Sequence, residues 1–181
     1  MHTWGWWSLI GCFLVWLIVA HSGSRASVDA LLRRKRGKPT PADISIWPVR
    51  MIQLHVVCVY IAAAYARLFY DGWFDGGMIF ETLANASYVR FTTVDWYAAK
   101  PLLFALNYIV WLAELLAPLL LWVPRCRTLM ACTLIAFHLG LEISATIGWW
   151  QILMAIMLMT FLPVPWVERV FRWRWTPLRA A

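Results

Sequence analysis

Apolar positions in this chain gather into long, nearly uninterrupted runs; they neither alternate nor recur on one helical face. A helix that crosses a bilayer needs about 20 mostly apolar residues, because each residue rises only about 1.5 Å through a hydrocarbon core about 30 Å thick. Five runs meet or approach that length: residues 4–20, 49–69, 101–123, 127–146 and 148–162. The pattern predicts an all-α fold, a polytopic integral membrane helical bundle of about five transmembrane helices forming one domain over residues 1–181. The last two runs meet at Thr146-Ile147-Gly148, a tight tip that predicts an antiparallel hairpin. Pro163 and Pro165 end the fifth helix, since proline lacks the N–H a helix requires. Within residues 70–100, Met78 to Leu83 reads as a short interfacial helix with its apolar side on the membrane.

Composition agrees with this picture and narrows it. Hydrophobic residues make up 62% of the 181 and charged residues 14%. A soluble domain averages about 45–50% and about 25%, so a water-soluble enzyme and a disordered chain are both excluded. The net charge of +7 would suit nucleic acid, but its placement gives a different answer. Starting with the N-terminus outside, the loop 21–48 with Arg50, the turn at 124–127 and the C-terminal tail hold 13 of the 16 basic residues. Arg67, Arg90 and Lys100 are left outside, where the loop 70–100 carries four of the nine acids. Lys and Arg are retained on the cytoplasmic side, so the chain reads as N-out, C-in and multi-pass in the cell membrane. Its basic inner face then meets anionic lipids, and nucleic acid is not a partner. Most tryptophans fall near the ends of the runs, where an amphipathic ring favours the headgroup level. The run 4–20 has no Lys or Arg ahead of it and so reads as a retained anchor, not a signal peptide. Cys12, Cys58, Cys126 and Cys132 form no C-x-x-C and read as buried thiols.

Polar side chains inside the runs carry the candidate chemistry, because a charge at the bilayer centre costs at least about 2.5–3.5 kcal/mol. Gln53, Tyr60 and Arg67 are seven apart on one stripe, as are Asn107 and Glu114, while His138 and Glu142 stack one turn apart. Counting rise from the inner end puts Glu114 about 12 Å deep, and Tyr60 and His138 each about 16 Å. Asn107 and Glu142 fall about 21–22 Å up on that count, and Arg67 about 27 Å. Two layers are expected: Tyr60, Glu114 and His138 as candidates for catalysis, and Arg67, Asn107 and Glu142, with Gln53, as a ligand-binding or structural polar network. In the outer layer Arg67 is expected to pair with Glu142; in the middle, His138 with Glu114. The four histidines are too far apart for a metal site.

Several ordered motifs carry a family resemblance. Trp47-Pro-Val-Arg50-Met-Ile-Gln53-Leu, Val59-Tyr60-Ile-Ala-Ala-Ala64, Arg67-Leu68 and Asp71-Gly-Trp73-Phe-Asp-Gly-Gly77 follow one another. Ser27-Val-Asp29 precedes them, and Glu114-Leu-Leu-Ala-Pro118, Phe137-His138 and Ile147-Gly148 follow. Over residues 20–163 this resembles the horizontally transferred transmembrane (HTTM) domain, related to the membrane part of vitamin K-dependent gamma-carboxylase. The mid-depth Tyr60, Glu114 and His138, able to donate and accept protons, make a quinone-like lipid the candidate ligand, and the resemblance implies a lysine as catalytic base where this chain has Arg67. A guanidinium stays protonated and is a poor base, so the chain is expected to lack gamma-carboxylase activity. The leading expectation is a non-catalytic or partner-dependent membrane subunit, with a protein partner or a homo-oligomer completing it. The alternative is a membrane-embedded enzyme or redox partner handling a quinone-like lipid in the bundle.

Overall fold

The structure is a computed structural model that describes residues 4–19, 28–38, 45–69 and 71–172. The chain divides into two compact units, residues 1–55 and 56–181.

The first unit opens with α1 (Trp4–Val19), a helix without charge. Next comes α2 (Val28–Lys35), whose last turn carries Arg33, Arg34 and Lys35, cations that suit the negative end of a helix. No hydrophobic run announces α2, and its Val28, Leu31 and Leu32 are exposed. Then α3 (Trp47–Arg67) begins, with Pro48 in the first turn, where a missing N–H costs no hydrogen bond.

The second unit contains the rest of α3 and a helical hairpin stack. It comprises α4 (Asp71–Phe74), α5 (Met78–Ala84), α6 (Lys100–Leu120), α7 (Pro124–Ser144), α8 (Trp150–Leu158), a 3₁₀ turn over Met159–Phe161, and α9 (Val164–Arg172). Pro101 and Pro124 sit in the first turns of α6 and α7. Between those helices the chain reverses in three residues, held by Arg127 Nε donating to the Leu121 carbonyl at 3.1 Å. α7 packs along α8, whose Met154, Ala155, Met157 and Leu158 are buried. A two-residue pairing of Val89 with Ala145 ties the 85–99 loop to the α7–α8 connection.

Among the described residues three helices, α3, α6 and α7, are each 21 residues long and apolar enough to cross a membrane. The apolar helices Ile10–Val19 and Trp150–Phe161 are shorter. Helix faces turned outward carry Leu102, Ile109, Leu119, Leu129 and Ile143, all more than half exposed, which is the surface a hydrocarbon solvent favours.

Two expectations are corrected here. The apolar side of α5 does not lie on the membrane: Ile79, Phe80 and Leu83 are buried in a cluster with Leu103, Val110 and Ala145. The cysteines are free but not buried, with Cys12, Cys58 and Cys132 exposed and Cys126 half-buried. The cysteines stay outside because an apolar run in lipid does not have to turn inward, whereas α5 finds α6 to pack on.

Candidate functional site

Helix α3 brings Tyr60 and Arg67 to one face, two turns apart. Tyr60 is 1% exposed, and its hydroxyl lies 2.9 Å from His138 Nε2 on α7. The other ring nitrogen of His138, Nδ1, is 2.5 Å from Gln151 Oε1 on α8. An amide oxygen only accepts, so Nδ1 carries the proton, and Nε2 of the neutral ring accepts from the Tyr60 hydroxyl. Three helices are thereby joined through one buried imidazole.

A second set of contacts starts from α6. Asn107 and Glu114, seven residues apart, are both buried. Glu114 Oε2 forms an ion pair with Arg67 Nη1. The Arg67 guanidinium also lies 4.1 Å from the centre of the Trp73 ring, a cation–π arrangement. Asn107 Nδ2 in turn donates to the Trp73 carbonyl at 3.1 Å, and its Oδ1 accepts from the Ile79 amide at 3.4 Å. That amide lies in the first turn of α5, where no intrahelical partner exists, so a side chain from α6 supplies one. Pro118 stands four residues beyond Glu114 and offers its carbonyl no N–H.

The expected layers are therefore joined differently. Arg67 pairs with Glu114, not with Glu142. Glu142 is held by Arg90, whose Nη2 is 3.4 Å from the carboxylate and 3.0 Å from the Glu142 backbone carbonyl. His138 meets Tyr60 and Gln151, not Glu114. Gln53 lies in the first unit, where its Oε1 accepts from Arg50 Nη1 at 2.9 Å. The depth count treated the helices as level, parallel rods, whereas the long stems of arginine and glutamate bridge between levels. Gln151, Trp73 and Arg90 were missed as partners. Gln151 had a usable signal, being the one polar side chain in Trp150–Leu158. Trp73 and Arg90 act from loops and short helices, where no periodicity marks them.

Among the described residues no group of three or more His, Cys, Asp or Glu side chains is gathered as a metal ion would require. A separate cavity of about 530 Å³ lies between α6 and α7. None of Tyr60, Arg67, Glu114, His138 or Gln151 lines it.

Long apolar helices around a buried polar centre describe a membrane protein, and the comparison of sequences gives its family. The HTTM domain model matches residues 5–166, and the chain belongs to the HTTM family. No curated protein and no solved structure matches the chain significantly.

Proposed function

We propose that this chain is a non-catalytic, partner-dependent membrane subunit without gamma-carboxylase activity. The observation that carries the reading is that Arg67, Glu114, Tyr60 and His138 are bound to partners within the protein. Arg67 is bound to Glu114 and stacked on Trp73, and His138 has a partner on each ring nitrogen. A guanidinium held in this way is a permanent cation and takes no proton from a substrate. Such pairing is what a polar group inside a bilayer needs for stability, whatever chemistry its neighbours perform. Extensive apolar helix faces offer a partner protein or a second copy the surface on which to assemble.

In this reading the chain crosses the cell membrane five times. α1 and the segment 148–162 add to α3, α6 and α7, with the N-terminus outside and the basic loop and C-terminal end inside on anionic lipid. The test is purification from native membranes in mild detergent with chemical crosslinking. Co-purification of a stoichiometric partner or a defined homo-oligomer supports the reading; recovery of monomer alone overturns it.

A second reading rests on the buried Tyr60–His138 pair, a phenol and an imidazole that can exchange a proton, with Gln151 orienting the ring. It makes the chain a membrane-embedded enzyme or redox partner that handles a quinone-like lipid. Extraction of the purified protein would then yield bound quinone, and His138→Ala would abolish its retention. Absence of quinone, with the variant unchanged in this respect, removes the second reading.

A further inference from the structure

The 530 Å³ cavity is bounded by α6, α7, α5 and Trp96. Thr133 and Ser144 supply the only polar side chains on its wall, apart from the Trp96 indole N–H, which is already bonded to the Phe91 carbonyl at 3.2 Å. Leu106, Ile109, Ala136 and Gly140 line it and are also exposed, so it is a groove that opens sideways on the outward faces of two membrane-length helices. Two hydroxyls cannot give ordered water the two to four partners each molecule needs, so the groove favours an apolar occupant. The volume and the apolar lining suit a hydrocarbon chain.

Charge at one end of the groove specifies the occupant further. Lys100 stands one turn before the lining residue Leu103, and its Nζ lies 5.0 Å from the Phe80 ring and 5.3 Å from the Phe104 ring. No carboxylate pairs with it among the described residues, while Arg90 nearby in sequence is held by Glu142 next to the α7 terminus. An ammonium ion resting on two aromatic faces, one turn beyond the lining residue Leu103 on the outer side, complements the phosphate of a lipid whose acyl chain lies in the slot.

We infer that the α6–α7 groove holds one acyl chain of an anionic phospholipid, with the lipid phosphate at Lys100. This does not rest on the subunit reading, because lipid retention is measured on the isolated chain and partner recovery is not.

The experiment is native mass spectrometry of the detergent-purified full chain, after incubation with phosphatidylglycerol or with phosphatidylcholine of the same acyl composition. A parallel sample carries phosphatidylglycerol with a photoactivatable acyl chain, and its crosslinks are mapped. The expected result is one retained phosphatidylglycerol, preferred about tenfold over phosphatidylcholine, with crosslinks on Leu106, Ile109, Ala136 or Gly140. A Cβ at position 140 meets no atom within 4 Å beyond its own stretch of helix, so Gly140→Leu starts its side chain into open space on the groove wall. That variant is expected to lose retention about tenfold at an unchanged melting temperature. Lys100→Gln is expected to keep the chain and lose the headgroup preference. Wild-type retention by folded Gly140→Leu overturns the proposal. So do crosslinks spread evenly over α3, α6 and α7, or crosslinks joining two copies through this groove. If Gly140→Leu does not fold, the wild-type crosslink map decides alone.

Discussion

Arg67 on α3 and Glu114 on α6 form an ion pair inside the second unit, although Glu142 stands at the more similar sequence-counted depth. Two features of the surroundings account for the choice. Glu142 is occupied by Arg90, which the Val89–Ala145 pairing carries to the end of α7. Trp73, held by Asn107 from α6, offers the Arg67 guanidinium a ring face beside Glu114. Asn107, Trp73, Arg67 and Glu114 thus form one continuous clasp, running from α6 through α4 and α3 and back to α6.

Asn107 is expected to be the structural hinge of that clasp. Asn107→Leu leaves the Trp73 carbonyl and the Ile79 amide without their partner, at a cost of about 1–3 kcal/mol for each buried group left unsatisfied. The measurement is the unfolding midpoint in detergent, together with protease cleavage between α4 and α5. A lower midpoint with faster cleavage at residues 75–77 is expected. An unchanged midpoint would show that the two bonds do not hold α4 and α5 to α6.

Gly76 is expected to tolerate no side chain. Its φ is +78°, and an added Cβ would come within 2.9 Å of Tyr108 Cε2. The Tyr108 ring has little freedom to retreat, because its hydroxyl donates to the Phe74 carbonyl at 2.7 Å. Gly76→Ala should therefore destabilise by about 1–3 kcal/mol, and Tyr108→Ala in the same chain should recover part of the loss. Equal stability of Gly76→Ala and wild type, read from thermal unfolding in detergent, would contradict the tight approach.

These residues also show what the sequence made legible. The long helices were readable because lipid demands continuous apolar length, and α3, α6 and α7 lie within a few residues of the expected runs. The stripes were readable too. A seven-residue spacing places Tyr60 with Arg67 and Asn107 with Glu114 on one face, and those residues do meet partners across helices. Pairings between stripes were not readable, because they depend on how helices are rotated and which stem reaches which level. Helix α5 was foreseen, but its direction was not. Whether Ile79 and Phe80 face lipid or protein is decided by α6, which Met78–Ala84 contains no signal for.

Topology follows from the charge distribution and is expected to be N-out, C-in. Reporter fusions after Lys38 and at the C-terminal end should both report the cytoplasmic side, and a fusion after Ala86 the opposite side. Fusions placing the residue 38 site and the C-terminal end on different faces would remove the five-crossing arrangement.

The most direct test of the central claim, that the intramembrane charges serve one another, is a double-mutant cycle on Arg67 and Glu114. Stability of wild type, Arg67→Leu, Glu114→Leu and the double variant is measured by reversible unfolding in one detergent or bicelle. Each single variant leaves a buried charge uncompensated and is expected to lose about 3–5 kcal/mol. The double variant is expected to lose far less than the sum, with a coupling of at least about 1.5 kcal/mol. Losses that add to within about 0.5 kcal/mol would mean that the two side chains do not stabilise each other, and would contradict the claim.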